Sequence, residues 1–151
     1  MDFTQFDRLI SLTPSDSGEC EAVARTIDGN DVSISIATFG AGIFRLRVNP
    51  IAKPDYGLLV ANAVAPAVGS AKRGENSLTL TSGRASLTLA SDATHALHLT
   101  LTHRGKTVLT SITDEHFRGM AKPLEATRVA AFGLTDSVAV AAFALGSDTP
   151  V

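Results

Sequence analysis

Four histidines are the side chains of this chain best suited to acid–base or metal chemistry. His95, His98 and His103 lie in one run of alternating polar and apolar residues, and His116 follows the acidic pair Asp114-Glu115. A zinc site needs three or four ligands that converge on one point. Neighbouring side chains of a strand point to opposite faces, so His95 and His98 should diverge if both lie on one strand. The spacing therefore favours histidines at strand ends or edges and predicts no metal site.

The acidic pair with His116 has a second possible use, as a general acid or base. It lies in 113–127, the longest stretch without strand character, and Gly119 nearby indicates an exposed loop. A solvated turn is the simpler interpretation. We keep His116 as a candidate residue on the substrate side of the domain, without a catalytic role.

Other motifs that would point to a cofactor or nucleophile are incomplete. Gly40-Ala-Gly42 has no third glycine and no helix after it, so it does not match a nucleotide-binding loop. Cys20 is the only cysteine, which excludes a disulfide within the chain, and its alternating context predicts burial. We expect no cofactor.

Composition and charge place the chain among ordinary globular domains. Its 151 residues suit one domain, with 44% hydrophobic and 19% charged residues. Thirteen basic and fifteen acidic residues give a net charge of −2, which does not favour nucleic-acid or anionic-membrane partners. The start, Met1-Asp2-Phe3-Thr4, lacks the apolar core of a secretory signal, so we expect a cytoplasmic protein.

Apolar and polar residues alternate with a period of two along most of the sequence, which predicts β-strands. Any functional residue is therefore expected to be positioned by strands and their connecting turns. The runs 77–81 and 85–90 flank Ser82-Gly83 and predict a hairpin. About ten such strands, without a sustained helical period, predict an all-β, antiparallel β-sandwich. The run 138–145 has eight consecutive apolar residues and predicts one strand covered on both faces.

Aromatic residues are scarce, with no tryptophan and one tyrosine. Flat aromatic faces are a common means of gripping sugars, so their scarcity weighs against a free-standing carbohydrate-binding module. Tyr56, beside Asp55 on a proline-delimited tip, is the one obvious exposed platform. Asp55 and Tyr56 are therefore the other candidates for a substrate-facing loop.

Three blocks of the sequence resemble the N-terminal domain of glycoside hydrolase family 31, the α-glucosidases and α-xylosidases. The first is Phe44-Arg-Leu-Arg-Val48 followed by Asp55-Tyr56-Gly57. The second is the Gly83 hairpin, the strand 97–101, the turn at Arg104-Gly105 and Val108-Leu109. The third is 140–145 followed by Asp148-Thr-Pro-Val151.

The resemblance implies a galactose-mutarotase-like β-sandwich that packs on a (β/α)8 catalytic barrel of the same polypeptide. In that family two barrel aspartates perform a retaining hydrolysis, which needs a close carboxylate pair. Neither aspartate has a counterpart in this chain, so no catalytic residue is carried over. The implied identity is a single N-terminal domain, 1–151, of a longer enzyme, inactive alone and meeting carbohydrate only within the whole protein.

Two further hypotheses stay open from the sequence. One is a sugar 1-epimerase on the related fold, which would pair His98 or His116 as acid with Glu115 or Glu125 as base. The other is a carbohydrate-binding or protein-binding sandwich with no enzyme attached.

Overall fold

A computed structural model describes residues 3–14, 19–38, 41–49, 69–113, 128–135 and 138–145. The loop candidates Asp55, Tyr56 and His116 lie outside these ranges, so their predicted exposure stays a prediction. The run Leu58-Leu-Val-Ala61, whose apolar residues predict a short strand, lies outside them as well.

The described residues form an all-β protein with two six-stranded antiparallel sheets, which confirms the predicted fold class. In sheet 1 the strands lie in the order β11-β10-β1-β2-β3-β4, and in sheet 2 in the order β12-β9-β8-β7-β6-β5. The strands are β1 (Phe3–Pro14), β2 (Glu19–Thr26), β3 (Asp31–Thr38), β4 (Phe44–Val48), β5 (Ser70–Arg73), β6 (Ser77–Ser82), β7 (Ala85–Ala90), β8 (His98–His103), β9 (Lys106–Ser111), β10 (Phe132–Thr135), β11 (Val138–Ala141) and β12 (Phe143–Leu145).

The hairpin of β6 and β7 forms as predicted. Gly83 has a φ of 62°, a left-handed conformation that glycine adopts at little cost. The turn sets the register Leu78↔Leu89 and Leu80↔Leu87, so the leucines share the inner face. On the outer face Thr79 and Thr88 approach within 3.0 Å through their hydroxyls.

The core lies between the two sheets and is built from the apolar alternate positions of both. Sheet 1 contributes Phe6, Ile34 and Phe132, all almost fully buried, and sheet 2 contributes a set of leucines from β6 to β8. Burying one such side chain contributes about 1.5–3 kcal/mol. The rings of Phe6 and Phe132 meet edge to face, with centroids 4.8 Å apart.

Strand β1 is long because it has different neighbours along its length. Its first residues pair with β10, and the rest pairs with β2. Register shifts between Phe6 and Arg8 and between Leu9 and Ser11 interrupt the β2 ladder. Such bulges bend a strand and increase its local twist.

The run 138–145 was predicted as one buried strand, and that prediction is wrong. The chain changes sheets at Ala142, which donates to the carbonyl of Ala131 and accepts from the amide of Ile112, both at 2.8 Å. β11 therefore ends sheet 1 and β12 ends sheet 2. Edge strands are covered less than central ones, so Val140 and Phe143 are 40% and 43% exposed.

Two other local predictions need correction. Residues 95–97 precede β8 and are not part of it, since Asp92 organises a turn there. The run 62–76, rich in alanine, proline and glycine, is predicted from the sequence to be a loop, but its segment 70–73 forms the edge strand β5 against β6. All four β5 residues are exposed, so its sequence lacks the apolar alternation that identifies other strands.

Candidate functional site

An apolar groove opens between β4 of sheet 1 and the inner face of sheet 2. Its volume is about 420 Å³. We call it the apolar groove, and its lining residues are Gly42, Ile43, Phe44, Leu46, Leu87, Leu99, Leu101, Leu109 and Phe143.

Among the described strands, β4 is the last of sheet 1, and the groove lies between it and β7, β8, β9 and β12 of sheet 2. Leu99 is buried, Leu101 and Leu109 are half-buried, and Phe143 is 43% exposed. On the opposite wall Ile43 is 57% exposed. The inner face of the sandwich thus reaches the surface on this side.

The described lining of this groove is apolar, and none of these lining residues has an ionisable side chain. A contiguous apolar surface of this kind is characteristic of a contact with protein or another apolar surface. The sequence predicts uncovered apolar surface near Phe143, and Phe143 lines this groove. Alternation places Leu101 and Leu109 on the inner face, but it does not predict that they meet β4 there.

A second cluster lies in the turn before β8, around Asp92. The Asp92 carboxylate accepts hydrogen bonds from the backbone and hydroxyl of Thr94 and from the backbone of His95. His95 Nδ1 lies 3.1 Å from both carboxylate oxygens. Hydrogen bonds from Thr94 and then His95 hold the pKa of Asp92 well below its usual range, because they favour the ionised form.

The same turn brings together His95 and His98, although their spacing on a single strand would make them diverge. The ring centroids of His95 and His98 are 5.8 Å apart, edge to face. This happens because His95 precedes the strand and does not follow its alternation. His98 Nδ1 lies 3.0 Å from the carbonyl oxygen of Ala96. Among the described residues, no group of three or more potential ligands could hold a metal ion.

Arg128 anchors this turn to sheet 1. Its Nη1 donates to the carbonyl oxygens of Asp92 and His95, and its Nη2 donates to the carboxylate of Asp7. The carbonyl of Arg128 accepts from Nε2 of Gln5, which is 96% buried. Arg128, Asp7 and Gln5 therefore form a structural link between sheet 1 and the turn before β8.

Some of the residues that the sequence suggests as functional lie in the described part of the chain, and others lie outside it. Cys20 is buried, as predicted, at 2% exposure. The epimerase hypothesis stays a prediction, since His98 is described while Glu115, His116 and Glu125 lie outside the described ranges.

In the ranges that the structure describes, no helix has the length and hydropathy needed to cross a bilayer. Comparison of the chain with protein-family models, with curated proteins and with solved structures found no match.

Proposed function

We propose that this chain is a non-catalytic β-sandwich domain of a retaining α-glycosidase of glycoside hydrolase family 31. Its role is to pack on the catalytic barrel and shape one wall of the active-site cleft. The whole enzyme hydrolyses α-glucosides or α-xylosides, and the catalytic carboxylates belong to the barrel. The observation that carries the proposal is the apolar groove beside β12.

The blocks of sequence that resemble the family meet at this groove. The first block supplies Phe44 and Leu46 from β4, and the second supplies Leu101 and Leu109 from β8 and β9. The third block supplies Phe143 from β12. Segments far apart in the chain thus line one surface, which supports a shared role for them.

The exposed aromatic and aliphatic side chains explain why a neighbour would bind here. Each Å² of apolar surface removed from water contributes about 25 cal/mol. Ile43 and Phe143 stand at the rim with roughly half of their surface in water. A domain that covers them recovers this free energy without opening the sandwich, so the groove suits a permanent contact within one polypeptide.

The first test of the proposal is an activity measurement on the chain as it stands. We expect no hydrolysis of 4-nitrophenyl α-glucoside or α-xyloside. Turnover by the purified chain would overturn the non-catalytic assignment if the activity co-purifies with the chain over successive columns. Its rate must also be proportional to the concentration of the chain.

A second test concerns the groove within the longer enzyme. If the reading frame continues into a barrel, Ile43→Ser with Phe143→Ser should lower the unfolding temperature of the whole enzyme and its activity. The control is Ile27→Ser, since Ile27 is equally exposed, at 45%, but lies in the turn after β2. Equal effects of the control and the groove pair, or a reading frame without a barrel, would contradict the proposal.

A further inference from the structure

The outer face of sheet 1 carries a second depression, of about 420 Å³, with a different chemistry from the groove. We call it the hydroxyl depression. Its lining includes six residues with hydroxyl, amide or carboxylate side chains, which are Ser11, Thr13, Glu21, Ser33, Ser35 and Asn49. Val23 lies among them, and Ala22 and Ile34 also line it, although their side chains are buried in the core.

Strand register explains how these polar groups come together. Thr13 pairs with Glu21, Glu21 with Ser35, and Ser35 with Arg47. The four residues form one row across β1, β2, β3 and β4, on the face opposite the core. Strands lie about 4.8 Å apart, so the row is roughly 14 Å long. Its length suits a ligand of two or three sugar rings.

A second row runs beside the first, about two residues further along each strand. Ser11 pairs with Val23 and Val23 with Ser33. The amide of Asn49 donates to the carbonyl oxygen of Ser33 at 2.7 Å, and Asn49 has a φ of 47°. This left-handed backbone, which asparagine tolerates better than most residues, closes the row at the end of β4.

The curvature of β1 contributes to the shape. The register shift between Leu9 and Ser11 lies immediately before the first lining residue, Ser11. A bulge re-aims side chains and bends its strand, which is why bulges are frequent beside binding sites.

The polar side chains of the depression are open to a ligand. Among the described residues, the side chains of Ser11, Thr13, Glu21, Ser33 and Ser35 form no hydrogen bond with one another or with a neighbour. On the outer face of sheet 2, by contrast, threonine and serine hydroxyls approach one another across strands, at 3.0 Å in Thr79–Thr88 and Thr81–Ser86.

The chemistry of the lining selects the class of ligand. Glu21 disfavours an anion, and a single carboxylate with the neighbouring Arg47 does not make a cation site. Six of the nine lining residues carry a side chain that can form hydrogen bonds, so a ligand that brings hydroxyl groups can pair with them. Hydroxyls that both donate and accept, flanked by one carboxylate and one guanidinium, match the vicinal hydroxyls of a sugar.

We propose that the hydroxyl depression binds a short neutral saccharide, with Glu21 and Ser35 as its central hydrogen-bonding residues. No aromatic side chain stacks on the sugar rings here, so the affinity should be weak, with Kd in the millimolar range. The site is independent of the proposed docking role, because it lies on the outer face of sheet 1 and the groove opens on the inner side.

The proposal is tested by titrating the ¹⁵N-labelled chain with glucose, maltotriose and xylobiose and following amide chemical shifts. We expect saturable shifts at Glu21, Ser33 and Ser35 with at least one probe. Glu21→Gln and Ser35→Ala should each weaken binding fivefold or more. Thr88→Ala removes a similar strand hydroxyl from the outer face of sheet 2 and should leave the affinity unchanged.

The spectrum of each variant reports at once whether the fold is kept, so a lost site is distinguished from a lost structure. Absence of saturable shifts in the depression with all three probes would overturn the proposal. So would equal weakening by Thr88→Ala. Phe143→Ser in the apolar groove should not change binding, which separates failure of this proposal from failure of the docking role.

Discussion

Arg128 and Asp7 are joined by a hydrogen-bonded ion pair, although 121 positions separate them in the sequence. Both side chains are about one-fifth exposed. The same guanidinium donates to the carbonyls of Asp92 and His95, so one side chain ties β1 to the turn before β8. The link holds sheet 1 against sheet 2 at the side of the sandwich that carries the histidine turn.

Replacing Arg128 with alanine should lower the free energy of unfolding by about 2 kcal/mol, because the partly buried Asp7 carboxylate and two carbonyls lose their donor. Urea denaturation at neutral pH measures the effect. The control is Arg25→Ala, which removes the guanidinium that donates to Asp31 at the exposed start of β3. Its effect should be clearly smaller, since exposed ion pairs contribute little. Equal losses would show that the Arg128 link has no special role.

The edge-to-face contact of Phe6 and Phe132 should appear as a coupling in a double-mutant cycle. Each change to leucine removes volume from the core between β1 and β10. The two single changes together should cost about 1 kcal/mol more than the double change, because the aromatic contact is lost only once in the double variant. Thermal unfolding of the four proteins measures this. Strict additivity would mean that the ring geometry contributes nothing beyond burial.

Gly133→Ala should be severely destabilising, by more than about 2 kcal/mol, because an added methyl group would overlap the backbone of Thr4 and Gln5 on β1. Gly105→Ala is the matched control. Gly105 has a φ of 78° but open space around its Cα, so only backbone strain of about 1–2 kcal/mol applies. Circular dichroism during heating ranks the two variants. A smaller loss at Gly133 than at Gly105 would contradict the close packing of β10 on β1.

Asp92 should contribute to the acid dependence of stability. Its pKa is depressed in the folded state by hydrogen bonds from Thr94 and His95, so its contribution is complete above the unfolded value of about 3.9. The contribution is lost as the pH falls through the lower, folded-state pKa. Urea unfolding from pH 6 to pH 2 should therefore show a shallower acid decline for Asp92→Asn. Asp31→Asn provides a comparison, since Arg25 also lowers the pKa of Asp31.

Regular alternation made most of the fold predictable. The β6–β7 hairpin follows from leucines in phase across a glycine turn, and its register agrees with the pattern. Alternation does not identify a strand whose side chains are exposed on both faces, as in β5, because such a strand has no regularly spaced apolar residues. It also fails at Ala142, where a small apolar residue allows the chain to change sheets without interrupting the apolar run.

The candidate surfaces were less predictable than the strands. The groove depends on which strands of the two sheets lie together, and the depression depends on the register within sheet 1. Local periodicity contains neither kind of information. The run 138–145 was expected as one core strand with some uncovered apolar surface near Phe143. Phe143 is indeed 43% exposed, but the reason is that its strand lies at the edge of sheet 2. Glu21, Ser35 and Arg47 look like unrelated outward residues until the register aligns them. The meeting of His95 and His98 depended on a turn whose organising residue, Asp92, precedes both.

The pairing of β1 with β10 has a consequence for how the protein is made. Phe3 to Gln5 cannot complete their ladder until Gly133 to Thr135 have been synthesised. Sheet 2 has mostly local hairpins between β5 and β9, so it can assemble while translation proceeds. In sheet 1 the strands β1 to β4 also pair locally, but the pairing of β1 with β10 must wait for almost the whole described chain to leave the ribosome. Long-range pairing of this kind slows folding, so a nascent chain should expose the apolar side of β1 for most of its synthesis.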